Sequence, residues 1–317
     1  MRVYLTGADG MLGTALRAAL GADPETADWP ILGVSVADFD IGNGEAVAES
    51  IGGYRPDVVV HTAAHAIVDD CEADPKLALR VNIAGVRNVV DACRRTGSRL
   101  VYVSSDYVFD GLDTPLGGYR EDDVPNPLSV YGLTKLAGER ISSTLPDHLN
   151  VRTSWLFGGT DERVDNVLAF IRQVGRGERP RLIADQFSLP TYTVDLARAL
   201  IHLLTRRPEV TGTIHVANAG MASWYEVARY VLGVLGPQPP GALAPEPVAM
   251  DDCGFLGGRP RNSTLNTDRL AQLGFTMPAW QDAVNRFCAV LAVGGAVVPL
   301  AAGTPVVSAP DAALVAS

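Results

Sequence analysis

Three glycines at a spacing of three, Gly7, Gly10 and Gly13, stand between an apolar run and an Ala/Leu-rich one at the very start of the sequence. Arg2-Val3-Tyr4-Leu5-Thr6 reads as a strand, and the stretch from Met11 through Leu20 as a helix. A first strand that turns through glycine into a helix is the phosphate-binding corner of a dinucleotide fold. Gly7 permits the tight turn, Gly10 lets backbone approach a pyrophosphate, and Gly13 lets helix and strand pack closely. Asp9, Met11 and Leu12 complete the turn and open the helix, whose unpaired N–H groups and dipole favour an anion. The spacing is GxxGxxG, not the more familiar GxGxxG.

The next stretches keep the same alternation. Ile31 to Val36 reads as a second strand, followed by Asp38-Phe39-Asp40-Ile41. An acid at the end of this strand would bind the 2′-hydroxyl of NAD, and Ser35 stands there instead, with Asp40 and Ile41 beyond it. That arrangement favours NADPH, with NADH as the alternative. Asp57 to His61 is a fully apolar third strand ending in Thr62-Ala63-Ala64, and the small Ala63 and Ala64 let a cofactor lie against backbone. Asp69, Asp70 and Glu72 read as acidic residues at a helix start before Pro75, not as metal ligands. A helix from Lys76 to Arg95 ends at Gly97 and carries Asn82, within reach of the cofactor or of the next strand. Strand–helix alternation over roughly the first half of the chain implies an α/β, Rossmann-like, doubly wound parallel sheet with its chemistry at the carboxyl ends of the strands.

The second constraining stretch begins at Leu100-Val101-Tyr102-Val103, a short buried strand that ends in Ser104-Ser105-Asp106-Tyr107. Downstream, Tyr131 and Lys135 fall at i and i+4 at the start of a helix, so both share one face. A free phenol titrates near about 10, and a nearby ammonium pulls that value toward neutrality. Lys76 and Lys135 are the only lysines among 26 basic residues, so a compact ammonium stands at Lys135 where arginine is the chain's usual cation. Ser105, Tyr131 and Lys135 are therefore the candidate catalytic group.

Composition narrows the class. The chain has 317 residues, 47% of them hydrophobic and 20% charged, enough for a large core. A net charge of −10 with no basic cluster argues against nucleic acid as a partner. Cys71, Cys93, Cys253 and Cys288 show no metal spacing and read as reduced thiols of a cytoplasmic protein. The first residues read directly into a strand, so no leader is expected, and no apolar run is long enough to span a membrane. Further elements follow: a strand at Asn150 to Trp155, helices at Asn166 to Gly175 and after Pro190-Thr191, and a strand at Thr213 to Val216. Ser223 caps a helix to Leu235 with Glu226 completing a capping box, a Pro/Gly/Ala loop runs from Gly236 to Pro247, and a last helix starts at Trp280. Residues 291–317 read as a flexible tail.

The motifs TGADGMLG, DYVFDG, YGLTK, RTSW, DQFSLPTYTVDLA and RPRNS occur in this order, and with them the chain resembles the dTDP-4-dehydrorhamnose reductase family of extended short-chain dehydrogenase/reductases. The resemblance implies a smaller, discontinuous C-terminal substrate domain: residues 1–150 plus roughly 183–218 for the dinucleotide, roughly 151–182 and 219–290 for the substrate. It implies a dTDP-sugar substrate whose C4 ketone is reduced, with Tyr131 as proton donor, Lys135 as its partner on the nicotinamide ribose, and Ser105 on the carbonyl. Asp106, Tyr107 and Trp155 match positions of the sugar pocket, and Arg259 of RPRNS matches one that meets the diphosphate. The family's DQxGxPT motif carries a glycine for which we expect Phe187 here, and His61 replaces a usual Asn. Thr14-Ala15 follows Gly13 without the glutamates through which some relatives dimerise on magnesium, so no metal is carried over, while a homodimer stays open. Two other classes compete. One is an epimerase or dehydratase of nucleotide sugars with tightly held NAD; the other is a non-catalytic regulatory subunit, which the presence of Tyr131 and Lys135 disfavours.

Overall fold

The computed structural model describes residues 1–236 and 244–293. Most of the expected tail, and residues 237–243 of the expected Pro/Gly/Ala loop, lie outside the described residues. In chain order, β1 (Val3–Thr6) leads into α1 (Met11–Ala22), then β2 (Ile31–Val34), α2 (Gly44–Tyr54) and β3 (Val58–His61). The short α3 (Val68–Ala73) and α4 (Pro75–Leu79) precede a π-helical turn (Arg80–Gly85) and α5 (Val86–Thr96). Next come β4 (Arg99–Ser105), α6 (Val130–Ser142), β5 (His148–Thr153), β6 (Leu156–Phe157), α7 (Asn166–Gly175), β7 (Arg181–Ile183) and β8 (Thr191–Tyr192). The described residues close with α8 (Thr193–Arg206), β9 (Gly212–His215), α9 (Trp224–Leu235), β10 (Glu246–Val248), α10 (Asp268–Gln272) and α11 (Trp280–Val293).

Six strands form one sheet in the order β2-β1-β3-β4-β5-β9, and every pairing is parallel. The order reverses beside β1, which puts the crevice for a ligand at the ends of β1, β3 and β4. The strands are apolar on both faces because helices cover both. Val3, Leu5, Val58, Val60, Val101 and Val103 face α1 and α8, while Tyr4, Val59, Leu100 and Tyr102 face α2 and α5. All seven residues of β4 are buried, each fully buried Leu or Val contributing about 1.5–3 kcal/mol. A separate core packs Phe157, α7, Tyr192, α9 and α11 around Trp280 and Phe287.

Two expectations shift. The second strand stops at Val34, because Asp38 folds back and accepts from the Ser35 N–H at 2.8 Å, which turns the chain. The helix expected from Lys76 to Arg95 is one run only in outline: a π turn interrupts it at Asn82, whose side chain is drawn to His65 and Thr134. Gly97 ends it in the left-handed conformation at φ 74°, and the Ser223–Glu226 capping box is present.

Candidate active site

Gly7 sits at φ 68°, a conformation open to glycine and costly for other residues. A Cβ at Gly13 would stand 2.1 Å from the Gly7 carbonyl oxygen, so the start of α1 is pressed onto the turn. No side chain caps α1, and no acid lies in its first turn. Gly10, Met11 and Leu12 instead face a cleft of about 910 Å³. Bare helix N–H groups facing a cleft over a strand end fit the pyrophosphate of a dinucleotide. Ala64 lines the same cleft, while Gly7, Gly13 and Ala63 do not line it: Gly7 packs closely against Ala63, and Gly13 against Gly7.

The other expected cofactor residues stand back from the cleft wall. Ser35 is tied to Asp38 through N–H and hydroxyl, Asp40 pairs with Arg80, and Ile41 is buried against Gly85. Asp9 is exposed on the turn. Asn82 is 1% exposed and spends its amide on the His65 backbone and the Thr134 hydroxyl, so it ties the loop after β3 to α6.

The catalytic candidates do converge. β4 ends at Ser105, whose hydroxyl accepts from the Tyr107 N–H at 3.2 Å and caps a 3₁₀ turn over Asp106–Val108. α6 starts at Val130, with Ser129 accepting from the Gly132 N–H and Glu72 from the Val130 N–H at 2.7 Å. It lies directly on the turn after β4, since a Cβ at Gly132 would stand 2.2 Å from the Tyr107 carbonyl oxygen. This approach brings Tyr131 to Ser105, with the Tyr107 and Tyr131 rings edge to face at 5.9 Å. Lys135 is 4% exposed; its ammonium donates to the Val103 carbonyl at 2.6 Å and lies 4.6 Å over the Tyr102 ring. Behind it, Arg152 of β5 and Glu139 of α6 form a buried two-pronged ion pair, 2.9 Å on both prongs, which fixes the helix to the sheet.

Electrostatics corrects one expectation. Tyr131 is not drawn toward neutrality: burial pushes it well above the ordinary phenol value, and the hydrogen bond with Ser105 only partly offsets this. Burial lowers Lys135 to about 8, with Glu139 pulling the other way. The phenol therefore keeps its proton at neutral pH, which suits a proton donor.

On the far side of Ser105, the Asp106 carboxylate is 1% exposed and surrounded by serines. Ser105 donates to Oδ1 at 3.1 Å, while Ser154, Ser188 and Ser263 donate to Oδ2 at 3.0, 2.8 and 2.5 Å. Burial raises Asp106 and the four hydroxyls draw it back. Those last three serines belong to RTSW, DQFSLPT and RPRNS, so motifs far apart in sequence meet on one carboxylate. Aligned residue by residue, DQFSLPT puts Ser188, not Phe187, at the glycine of DQxGxPT, so the departure is a hydroxyl aimed at Asp106. Phe187 instead pairs its backbone with Arg261 and Ser263. His61 is fully buried, bonded to Thr6 at 2.6 Å and held neutral, with burial lowering it to about 3.

Tyr107, Trp155 and Arg259 line the cleft with Asp106. Arg259 stacks on Phe255 at 3.5 Å and donates to Asp69 at 2.9 Å, a geometry that holds its guanidinium at the rim. Trp155 carries a positive φ of 40°, a strain of about 1–3 kcal/mol, and its indole lies flat on Trp224. Sequence reasoning missed Trp224, the serine convergence and the Arg152–Glu139 pair. Each is a contact between different elements, and only the capping box before Trp224 gave any local sign.

A family model described as the RmlD substrate binding domain matches residues 1–293. A dTDP-4-dehydrorhamnose reductase of Mycolicibacterium smegmatis is 35% identical over 93% of this chain and 86% of its own. A dTDP-4-keto-6-deoxy-D-glucose reductase of Streptomyces niveus is 37% identical over 87% of this chain and 92% of its own. Among solved structures, a dTDP-4-dehydrorhamnose reductase from Bacillus anthracis in complex with NADP superposes with a TM-score of 0.83 at 34% identity, covering 91% of this chain and 99% of that one. A glycine corner built for a dinucleotide, a Ser–Tyr–Lys group beside it and this family match agree, and the chain belongs to the dTDP-4-dehydrorhamnose reductase family.

Proposed function

We propose that this chain is an NADPH-dependent ketoreductase, able to accept NADH, that reduces the C4 ketone of a dTDP-4-keto-6-deoxy-L-hexose in deoxysugar biosynthesis. The observation that carries the reading is the meeting of Ser105, Tyr131 and Lys135 in one cleft with the bare start of α1. When bound, the nicotinamide supplies the hydride. Tyr131, held protonated by burial, gives its proton to the oxygen that gains charge at C4. Ser105 turns its hydroxyl from Asp106 to the same oxygen, and Lys135 offers the donors left after Val103 to the ribose. Arg259 meets the diphosphate, which on a chain of net charge −10 needs a local cation.

The division into a dinucleotide domain (1–150, 183–218) and a substrate domain (151–182, 219–290) is part of this proposal, supported by the separate core around Trp280. So are a cytoplasmic location and a homodimer. No helix among the described residues is long and apolar enough to cross a membrane.

The test supplies dTDP-4-keto-6-deoxyglucose with a 3,5-epimerase and follows NADPH absorbance. Net consumption separates a reductase from an epimerase, which returns its hydride. Tyr131→Phe should cost roughly 10²–10⁴-fold in kcat and leave NADPH affinity unchanged. Near-normal turnover in that variant would sink the assignment. In the unaltered chain, kcat/KM should fall as pH rises through about 8, where Lys135 loses its charge.

A further inference from the structure

Trp155 and Arg55 are the only non-glycine residues at positive φ among the described residues. Such strain in a bulky aromatic persists where its surroundings over-determine it. Two contacts do so here. The Thr191 N–H donates to the Trp155 carbonyl at 3.1 Å and pins the peptide. The Trp224 indole then lies against the Trp155 indole with centroids 4.5 Å apart and planes within 8°. Trp224 is itself anchored, as it opens α9 directly after Ser223, and the Ser223–Glu226 capping box fixes that end of the helix. Both indoles are half-buried and both line the cleft. Trp155 also follows Ser154, whose hydroxyl reaches Asp106 next to Ser105, so the aromatic pair begins one residue from the reacting end of the site.

We propose that Trp224 is a positioning residue for the substrate sugar: it braces the strained Trp155 so that the free face of that indole meets the C–H face of a 6-deoxyhexose. The proposal rests on the reductase reading. An indole face is electron-rich and apolar, which suits the polarised C–H bonds and the C6 methyl of such a sugar, and it offers nothing to a diphosphate. Trp155 supplies the contact, and Trp224 supplies the angle at which it is presented. No contact between Trp224 and the substrate is needed.

Two stacked indoles at this distance give an exciton couplet in circular dichroism, which reads the brace without substrate. The unaltered chain should show the couplet. Trp224→Ala should lose it and raise KM for the dTDP-4-keto sugar about tenfold, with kcat changed less than about threefold and NADPH affinity unchanged. Trp224→Phe keeps a flat ring and should keep KM near that of the unaltered chain. Should Trp224→Ala fail to fold, Trp224→Leu keeps bulk without a large flat face and carries the same expectation. A Trp224→Ala variant with unchanged KM overturns the brace, whatever its circular dichroism. Absence of any turnover by the unaltered chain overturns the reductase reading and the brace with it, whereas an unchanged KM overturns the brace alone.

Discussion

On the dinucleotide side of the cleft the protein presents backbone: a glycine turn, the uncapped start of α1 and the small residues after β3, all within the first 64 residues. On the sugar side it presents side chains gathered from afar, with Ser154, Ser188 and Ser263 closing on Asp106 from three loops. The first arrangement depends on atoms that are missing, the second on atoms that are present. Backbone approached this closely has no room to relax, whereas a carboxylate oxygen with three donors can lose one and stay bonded. The dinucleotide side should therefore be intolerant of added atoms, and the sugar side tolerant of single deletions.

The sharpest way to break that contrast is Gly13→Val. Its Cβ would fall 2.1 Å from the Gly7 oxygen and 2.8 Å from the Ala8 Cα, and both are backbone atoms. We expect NADPH affinity, read by calorimetry, to fall at least about 100-fold, together with a loss of thermal stability. Retained affinity would mean that the turn can open, and the dinucleotide side would lose its claim to rigidity.

The same contrast explains what was legible in the sequence. Strand, glycine turn and helix are local patterns, so β1, α1 and the role of Gly10 followed from residues within one window. Tyr131 and Lys135 were legible for the same reason, being one helical turn apart. The environment of Tyr131 was not: burial, with the Tyr107 ring edge to face against it, pushes the phenol up instead of down. Asp106 matches a sugar-pocket position by its motif, but the serines around it lie 48, 82 and 157 residues away and could not be read from one window. The capping box at Ser223 was readable, but the direction in which Trp224 faces was not.

The Arg152–Glu139 pair, which ties α6 to β5, should respond differently from both sides. Each side chain is at most 5% exposed, so removing one partner leaves the other buried charge without its hydrogen-bonded counterion. Arg152→Met should cost about 3–5 kcal/mol in denaturant unfolding. Arg152→Met combined with Glu139→Leu should recover most of that loss, because neither charge then remains to be solvated. If the double variant is as unstable as the single one, the pair contributes through geometry that methionine and leucine cannot supply, and α6 is held more tightly than a replaceable ion pair would hold it.

The smallest effect is expected at Ser188→Gly, which gives the DQFSLPT segment the glycine of the DQxGxPT pattern. The hydroxyl removed donates to Asp106 Oδ2 at 2.8 Å, but Ser154 and Ser263 still donate to the same oxygen. The backbone exchange between Ser188 and Ala222, at 3.2 and 3.0 Å, does not involve the side chain and should survive. One hydrogen bond to a charged acceptor is worth about 1.5–3 kcal/mol when its loss leaves the acceptor bare. Here the acceptor stays satisfied, so we expect about 1 kcal/mol in unfolding free energy, part of it from the added freedom of glycine in the unfolded chain. KM for the sugar nucleotide should move less than about threefold, less than one tenfold step per 1.4 kcal/mol would give at this cost. A loss of several kcal/mol would show that the three hydroxyls act as one unit around Asp106. In that case the sugar side would be as unforgiving as the glycine turn, for the opposite reason: every donor would be needed because, among the described residues, only hydroxyls bond the carboxylate.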